Sequence, residues 1–483
     1  MFGDIKKLGK ESLVYGLSTV VARLLNFILM PFYTHYLLPA EYGVVATVFS
    51  YIAFLNVVYA YGLNQGYMRH FKEEKALSSS FSCIFYTSFV ISLFLALSAK
   101  PLAQVSGLGA EHWRLVIYAA GILYLDSLTL IPFADLRMKH KAFVFVGIRT
   151  LTISLNVALN VIFLKYAGYG VEGIFLSNII SSFVAAAMFA GYFKYLFSAP
   201  DGKTLKNMLV YSIPFLPAGL SSIAIQVIDR PIMLKLTSSY WVGIYQANYR
   251  LAVFMTLLVT MFDQAWRPFV IERADDPKAP PVFAKVLKYF AFFTAFAWLF
   301  LSFFIGDIAR IELGGIYLIH PDYWLGLSLI PIVMAAYFFD GMYVNFLAPV
   351  IIKKTTWLIM TATITGAVLN IAFNLLLVPR YNILGAAWAA FISYFAMCFI
   401  MYFSARKLYP IPYEFKRLAA LVLSALTCFF AWYFYESVFF ECRADAFKVL
   451  LLTVFLLMAY LFVFTREELF SFRGFLREKI ARK

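Results

Sequence analysis

Charge, cysteine and histidine are all scarce in this chain. Only 14% of its 483 residues are charged, where a soluble domain carries roughly a quarter. The four cysteines, Cys83, Cys398, Cys428 and Cys442, lie far apart, and no pair has metal or redox spacing. They read as inert packing residues. The five histidines, His35, His70, His112, His140 and His320, all fall in connectors or at the ends of apolar runs. With no zinc spacing, no phosphate-cradling glycine loop and no nucleophile elbow, the common enzyme constellations are excluded. Long polar stretches are missing too. The two longest connectors, 263–286 and 306–326, leave no room for a soluble catalytic domain. Without a nucleotide-binding motif, any work the chain does draws on an ion gradient, the membrane potential or the gradient of its own substrate.

What is abundant is apolar sequence. Hydrophobic residues make up 63% of the chain, and the mean hydropathy is +0.79. Runs of about 20 apolar residues, each enough to cross about 30 Å of hydrocarbon, recur along nearly the whole length. Their cores fall at 12–32, 41–61, 80–98, 114–136, 143–164, 171–193, 208–232, 240–262, 287–305, 327–348, 356–378, 383–403, 418–436 and 446–464. The expected fold is therefore an all-α polytopic membrane protein with about 14 transmembrane helices.

The net charge of +15 invites a nucleic-acid reading, but its distribution argues against one. With the N-terminus placed in the cytoplasm, 29 Lys and Arg fall on that side and 8 on the other; Arg23, Arg149, Arg230 and Arg250 fall within spans. This is a positive-inside pattern. It places both termini in the cytoplasm, which needs an even number of spans. The first apolar run carries Arg23 and lacks a small-residue cleavage site, so it is not expected to be a cleavable signal.

The chain also repeats itself. Leu155-Asn156-Val157-Ala158-Leu159-Asn160 recurs as Leu369-Asn370-Ile371-Ala372-Phe373-Asn374, 214 positions on. The same spacing pairs Asp126 with Asp340 and Lys139 with Lys353. Weaker likenesses join Leu13-Val14-Tyr15 to Leu209-Val210-Tyr211 and Asn64-Gln65 to Asp263-Gln264. The expected organisation is two pseudo-symmetric six-helix lobes, 1–200 and 201–410. Two extra helices and a basic tail follow over 411–483. Six is even, so both lobes have the same orientation and a pseudo-two-fold axis along the membrane normal.

Ionisable groups within spans are costly, roughly 2.5–3.5 kcal/mol for an Arg at mid-bilayer on insertion scales, and usually face a cavity or a partner. Ser12, Tyr15, Thr19, Arg23 and Asn26 share one face of span 1. Gln246 and Arg250 sit one turn apart on span 8. Arg149, Thr152, Asn156 and Asn160 form a stripe on span 5, and Ser222, Gln226 and Arg230 another on span 7. One reading is a cationic cavity for an anionic headgroup, since the Arg guanidinium is a forked, permanently charged donor suited to phosphate. The other is that each Arg pairs with a buried acid or snorkels to an interface. Asp126 and Asp340 are available partners, and Asp229 adjoins Arg230. The asparagines and aspartates recur in both lobes, which fits scaffold packing. The arginines do not, which fits an asymmetric ligand. Asp126 and Asp340 are expected to be structural or to serve ion coupling. Pro31, Pro132, Pro214, Pro217 and Pro331 lie within or at the ends of spans, where they would kink or break helices.

Several landmarks carry a family resemblance. They are Leu29-Met30-Pro31-Phe32-Tyr33-Thr34, then Leu38-Pro39-Ala40-Glu41-Tyr42-Gly43; Asp229-Arg230; Val242-Gly243-Ile244-Tyr245; Ala265-Trp266-Arg267-Pro268-Phe269; and Leu369-Asn370 through Val378-Pro379, then Tyr381 and Gly385-Ala386-Ala387. As an ordered set spanning essentially the whole chain, they resemble the bacterial polysaccharide (O-antigen type) flippases. These belong to the multidrug/oligosaccharidyl-lipid/polysaccharide exporter superfamily.

The resemblance implies a V-shaped pair of six-helix lobes in the bacterial inner membrane. It implies alternating access that moves a polyprenyl-pyrophosphate-linked oligosaccharide from the cytoplasmic to the periplasmic leaflet, for O-antigen, capsule or exopolysaccharide synthesis. A cationic central cavity is expected, with Arg23, Arg250, Arg149, Asn26 and Gln246 as its candidate residues. Membrane lipids, a polysaccharide polymerase and a chain-length regulator are the implied partners. No nucleic acid and no cofactor are implied, and proton or sodium coupling stays open. Fourteen spans also match the lipid II flippase branch, whose substrate is an alternative. An ion-coupled drug exporter is a second alternative, although acidic rather than basic cavity groups would suit cationic drugs.

Overall fold

The structure is a computed structural model that describes Leu25 and residues 27–198, 200–438 and 445–465. The described chain is almost entirely helical. In order it runs α1 (27–36), α2 (Pro39–Ala60), α3 (Leu63–Arg69), α4 (Ala76–Leu97), α5 (Ala99–Val105), α6 (Trp113–Met138), α7 (Ala142–Val161), α8 (Gly170–Met188), α9 (Gly202–Ser212) and α10 (Phe215–Val227). It continues through α11 (Asp229–Leu236), α12 (Ser239–Leu251), α13 (Val253–Glu272), α14 (Ala279–Ala309), α15 (Ile330–Phe346), α16 (Ala348–Lys353), α17 (Trp357–Ala405), α18 (Phe415–Val438) and α19 (Asp445–Phe462). A single two-stranded antiparallel hairpin, β1 (Glu312–Leu313) with β2 (Ile316–Tyr317), interrupts the described helices.

Among the described residues, ten helical segments are long and apolar enough to cross a membrane, and up to twelve if each bent pair is one crossing. α17, at 49 residues, would be about 74 Å long if straight, more than twice the hydrocarbon thickness. It is broken instead. Pro379 removes a backbone donor, and Asn382 takes a positive φ of 51°. Beyond it, a Cβ on Gly385 would press on the Leu377 carbonyl, so the chain doubles back tightly. Spans 11 and 12 of the sequence reading are the two arms of this element. Pro214 likewise marks the 42° bend between α9 and α10. Pro132, by contrast, lies inside the continuous helix α6. The first expected span lies largely outside the described residues.

The usual distribution of polarity is inverted, as befits a multi-pass membrane protein. Leu97, Phe143 and Phe197 are exposed, while Ser79, Ser80, Ser82 and Ser88 of α4 are buried. Ser79 accepts from the Asp201 N–H at 2.9 Å and Ser82 donates to the Tyr195 carbonyl at 3.5 Å, while Ser80 and Ser88 return their hydroxyl hydrogens to carbonyls of their own helix. Small residues of this kind let helices approach where lipid supplies no hydrophobic drive.

The described residues form two compact units. The first takes the described residues up to Val253 with Ala309–Leu329 and Met360–Ser393; the second takes Phe254–Ile308, Ile330–Ile359 and the described residues from Tyr394 on. In the first, α2 and α12 make the most extensive helix pair. α2 starts cleanly because Pro39 occupies its first turn and the Glu41 carboxylate accepts from the Leu38 N–H at 2.9 Å. Its crossing with α12 is backbone against backbone. A Cβ on Gly43 would overlap the Ser239 carbonyl, and one on Gly243 would overlap the Pro39 carbonyl.

The segment 309–329 folds onto the turn before α2. Tyr323 donates its hydroxyl to the Leu37 carbonyl at 2.9 Å, and Asn248 of α12 donates to the Tyr323 carbonyl at 2.8 Å. The His320 N–H donates to Thr34 Oγ1 at 3.3 Å, and the His35 and His320 rings meet edge to face at 5.0 Å. In the second unit, buried Lys288 of α14 holds Glu414 at 3.3 Å. Glu414 also takes Arg417 at 2.8 Å, and Arg417 reaches the Val463 carbonyl beyond α19.

Two outcomes follow from these contacts. Gly43→Ala or Gly243→Ala should push the α2–α12 backbones apart at a cost of about 1–3 kcal/mol, the usual scale of overpacking. Gly147→Ala, where a Cβ meets nothing within 4 Å, should be silent. Thermal midpoints by gel filtration of the detergent-solubilised protein distinguish these cases. Burial, and then the neighbouring His320, hold the His35 imidazole below its ordinary pKa. A neutral His35 therefore favours the latched segment above about pH 6.5, and that contribution is lost as pH falls through that value. Hydrogen exchange of 309–329, corrected for intrinsic rates, should quicken between pH 7.5 and 5.5, and His35→Gln should abolish the dependence.

Candidate functional site

Three helices of the first unit turn polar faces to one another. On α6 the face is Asp126, Thr129, Phe133 and Arg137; on α7 it is Arg149, Thr152 and Asn156; on α8 it is Asn178, Ser181 and Ser182. Each set recurs every three or four residues, which places it on one side of its helix. With Asn56 of α2 and Asn64 of α3 they line a cavity of about 470 Å³, a volume typical of small-molecule sites. Three of the four members of the span 5 stripe line this cavity. The fourth, Asn160, is fully buried and turns to Tyr33, whose hydroxyl donates to Asn160 Oδ1 at 3.0 Å.

Arg149 is accessible to water, yet it sits among helices because it lines this cavity. Its guanidinium lies 4.7 Å from the centre of the Phe133 ring and 5.8 Å from that of Phe145. The negative ring faces fix the cation without using up its N–H donors. Asp126 is half-buried and accepts from the Ser182 hydroxyl at 2.6 Å. Asp126 and Arg149 feel one another electrostatically. Among the described residues, however, Asp126 enters no ion pair within 4.0 Å. A continuous path leads from the cavity toward α12. Asn156 Oδ1 accepts from Asn160 at 3.1 Å, Asn160 accepts from Tyr33, and Arg250 lies 5.7 Å from the Tyr33 ring and 5.8 Å from that of Tyr42.

Gln246 and Arg250 are both half-buried on α12. Gln246 is committed to a neighbour, since its Oε1 accepts from Arg230 Nε at 3.0 Å. Arg230 itself is a buried structural cation, the second of the two readings offered by the sequence. It pairs with Asp229 at 2.6 Å, donates to the Gln226 carbonyl, and stacks 4.3 Å from the Tyr249 ring. Tyr245 donates to the other Asp229 oxygen at 2.5 Å. The span 7 stripe therefore closes on itself.

Asp340 lies on α15 in the second unit, within electrostatic reach of Tyr343 and Cys398. Arg23 and Asn26 fall outside the described residues. The duplicated asparagines behave alike: Asn374 donates to the Asn370 carbonyl and Oδ1 at 2.8 and 3.0 Å, as Asn160 does to those of Asn156 at 2.8 and 3.1 Å. Among the described residues no group of three or more His, Cys, Asp or Glu could hold a metal ion. Cys398 and Cys428 are buried and Cys83 is half-buried, all three as free thiols. The stripes on α6 and α8 escaped the sequence reading, although Asp126/Thr129/Arg137 and Asn178/Ser181/Ser182 show the same spacing that revealed α7. Also missed was Asp135, fully buried and held by Tyr67 and Tyr192 at 2.6 Å each and by Lys139 at 2.7 Å.

Comparison with known proteins places this architecture. A family described as polysaccharide biosynthesis protein matches residues 8–272. No curated protein matches the sequence. Among solved structures, the lipid II flippase MurJ in an inward closed conformation has a TM-score of 0.71 at 16% identity, covering 93% of this chain and 98% of that one. An inward-facing multidrug resistance MATE family transporter of the MOP superfamily has a TM-score of 0.64 at 15% identity, covering 80% and 94%. A Vibrio cholerae MATE transporter follows at 0.57 and 13%, covering 83% and 96%. At these identities the likeness is one of fold, that of membrane flippases and transporters.

Removing Asp229 strands a buried guanidinium. Asp229→Ala should destabilise the protein by about 3–5 kcal/mol, the scale for a broken buried pair. The double variant Asp229→Leu/Arg230→Met, which removes both charges, should be milder. Unfolding midpoints in bicelles test the order; a double variant less stable than the single would contradict it.

Proposed function

The chain belongs to the polysaccharide biosynthesis protein family, and from that premise we propose that it flips a polyprenyl-pyrophosphate-linked oligosaccharide. The movement is from the cytoplasmic to the periplasmic leaflet, by alternating access, for surface polysaccharide synthesis. One observation carries the reading. Arg149 presents its guanidinium to a cavity of about 470 Å³ whose polar lining adds Arg137, Asp126, four asparagine amides and four serine and threonine hydroxyls between apolar side chains, a donor and acceptor set that suits a phosphate attached to a sugar. Arg250, held over two tyrosine rings, is the second proposed phosphate contact, and Arg23 and Asn26 are proposed to join it. Gln246 acts through Arg230 and so positions rather than binds. The bilayer keeps the lipid tail while the headgroup passes through the protein. The positive-inside count supports both termini in the cytoplasm.

Lipid II is the second substrate reading. It draws on the MurJ likeness, which extends over 93% of this chain, beyond the 80% shared with the MATE transporter. Proton or sodium coupling belongs with either.

Mass spectrometry of lipid-linked glycans in cells lacking the gene tests both. Accumulation of one glycan-pyrophosphate-lipid supports the flippase reading and identifies the substrate by its mass; accumulation of lipid II moves the assignment to the second reading. An unchanged lipid-linked pool with unaltered surface polysaccharide would overturn both. Complementation with Arg149→Ala or Arg250→Ala should lower flipping at least tenfold at unchanged membrane levels, the scale of one charge-assisted contact. Arg→Lys should rescue only in part, because an ammonium lacks the fork.

A further inference from the structure

The lining of the cavity has two chemically different parts. At Arg149 it offers donors. Around Asp126 it offers acceptors, because nearly every hydroxyl hydrogen on that wall is already spent. Thr129 donates to the Asp126 carbonyl at 2.8 Å, Ser181 to the Ser177 carbonyl at 2.7 Å, and Ser182 to Asp126 Oδ1 at 2.6 Å. Asn178 spends an N–H on the Ile174 carbonyl at 2.9 Å. Apart from the second amide hydrogen of Asn178, what these groups have left to give is lone pairs. A carboxylate has about four acceptor sites, and Ser182 occupies one of those on Asp126.

An Arg–Asp pair in direct contact would have satisfied itself and left little for a ligand. Here the two charges line one cavity and interact without closing on each other. A ligand that fits must bring an anion for the arginine and hydrogen-bond donors for the carboxylate. Ammonium donors are disfavoured, since Arg137 and Arg149 both line the cavity against the single acid Asp126. Neutral O–H or amide N–H groups suit it.

Resting on the flippase reading, we propose that Asp126 is the sugar contact of this site: it accepts hydrogen bonds from glycan hydroxyls next to the phosphate held at Arg149. Ser182 is a positioning residue that fixes the carboxylate. The cavity then selects a hydroxyl-bearing sugar directly attached to phosphate and discriminates against a bare phosphate.

The test is calorimetric binding to the full-length protein in lipid nanodiscs. The probes are glucose 1-phosphate, galactose 1-phosphate and N-acetylglucosamine 1-phosphate, each compared with methyl phosphate. The wild type should bind at least one sugar phosphate about tenfold more tightly than methyl phosphate, the scale of one hydrogen bond to a charged acceptor. Asp126→Ala should erase that advantage while methyl phosphate binds as well as before or better. Ser182→Ala, which keeps the charge and removes little volume, should reduce the advantage two- to threefold and serves if the alanine variant does not fold. An absent preference in the wild type, or one that survives in Asp126→Ala, overturns the sugar contact and leaves the flippase reading standing. Methyl phosphate binding that ignores Arg149→Ala overturns the anion site on which both rest, whatever happens at Asp126.

Discussion

A charge in hydrocarbon must find its compensation within the protein, and the described structure is organised around that constraint. Asp229 and Arg230 close on each other and recruit Tyr245, Gln246 and Gln226. Asp135 gathers two tyrosines from distant helices and a lysine from its own. Lys288 reaches Glu414, and through it the last two helices are fastened to α14. Each cluster neutralises itself locally and holds helices together. Asp126 and Arg149 break the rule, sharing a cavity without a contact pair. On the proposed reading, that open pair is left for a ligand to complete.

Much of this was legible in the sequence, and the boundary of legibility has a physical basis. Apolar length and turn chemistry are local, so the spans, the break at Pro379–Asn382 and the pairing of Asp229 with Arg230 could be anticipated from neighbouring residues. The polar stripe on α7 was visible because an arginine within a span demands explanation. Its partners on α6 and α8 carry the same spacing, but serine, threonine and asparagine are tolerated in packed membrane helices for many reasons, so their periodicity drew no notice. Periodicity reveals a face; it does not say which faces meet. For the same reason Asp135 with Tyr67 and Tyr192, and the folding of 309–329 onto Thr34–Leu37, were beyond reach. They join residues 57 to 286 positions apart.

Duplication offers a way to separate scaffold from site. The paired asparagines adopt the same side-chain geometry in both copies, Asn156 with Asn160 and Asn370 with Asn374. That is the behaviour expected of scaffold packing. What differs is what each copy was given to hold. Asn160 receives a hydrogen bond from Tyr33, and thereby joins a path to Arg250, whereas Asn374 Oδ1 has no partner among the described residues. Arg149 has only Thr363 at the corresponding position. The two copies of the motif thus share a side-chain geometry and differ in the polar groups around it.

The crossing of α2 and α12 has a consequence of another kind. Gly43 and Gly243, 200 positions apart, bring two backbones together with no side chain from either. The carbonyls they meet, those of Ser239 and Pro39, lie one helical turn before each glycine, where the helix's own hydrogen-bond ladder engages them. Parting such a joint strands no donor and no acceptor. It forfeits only short-range dispersion, and lipid tails can replace part of that. The contact is held by fit alone: it tolerates no extra atom, and no hydrogen bond would have to be broken to part it.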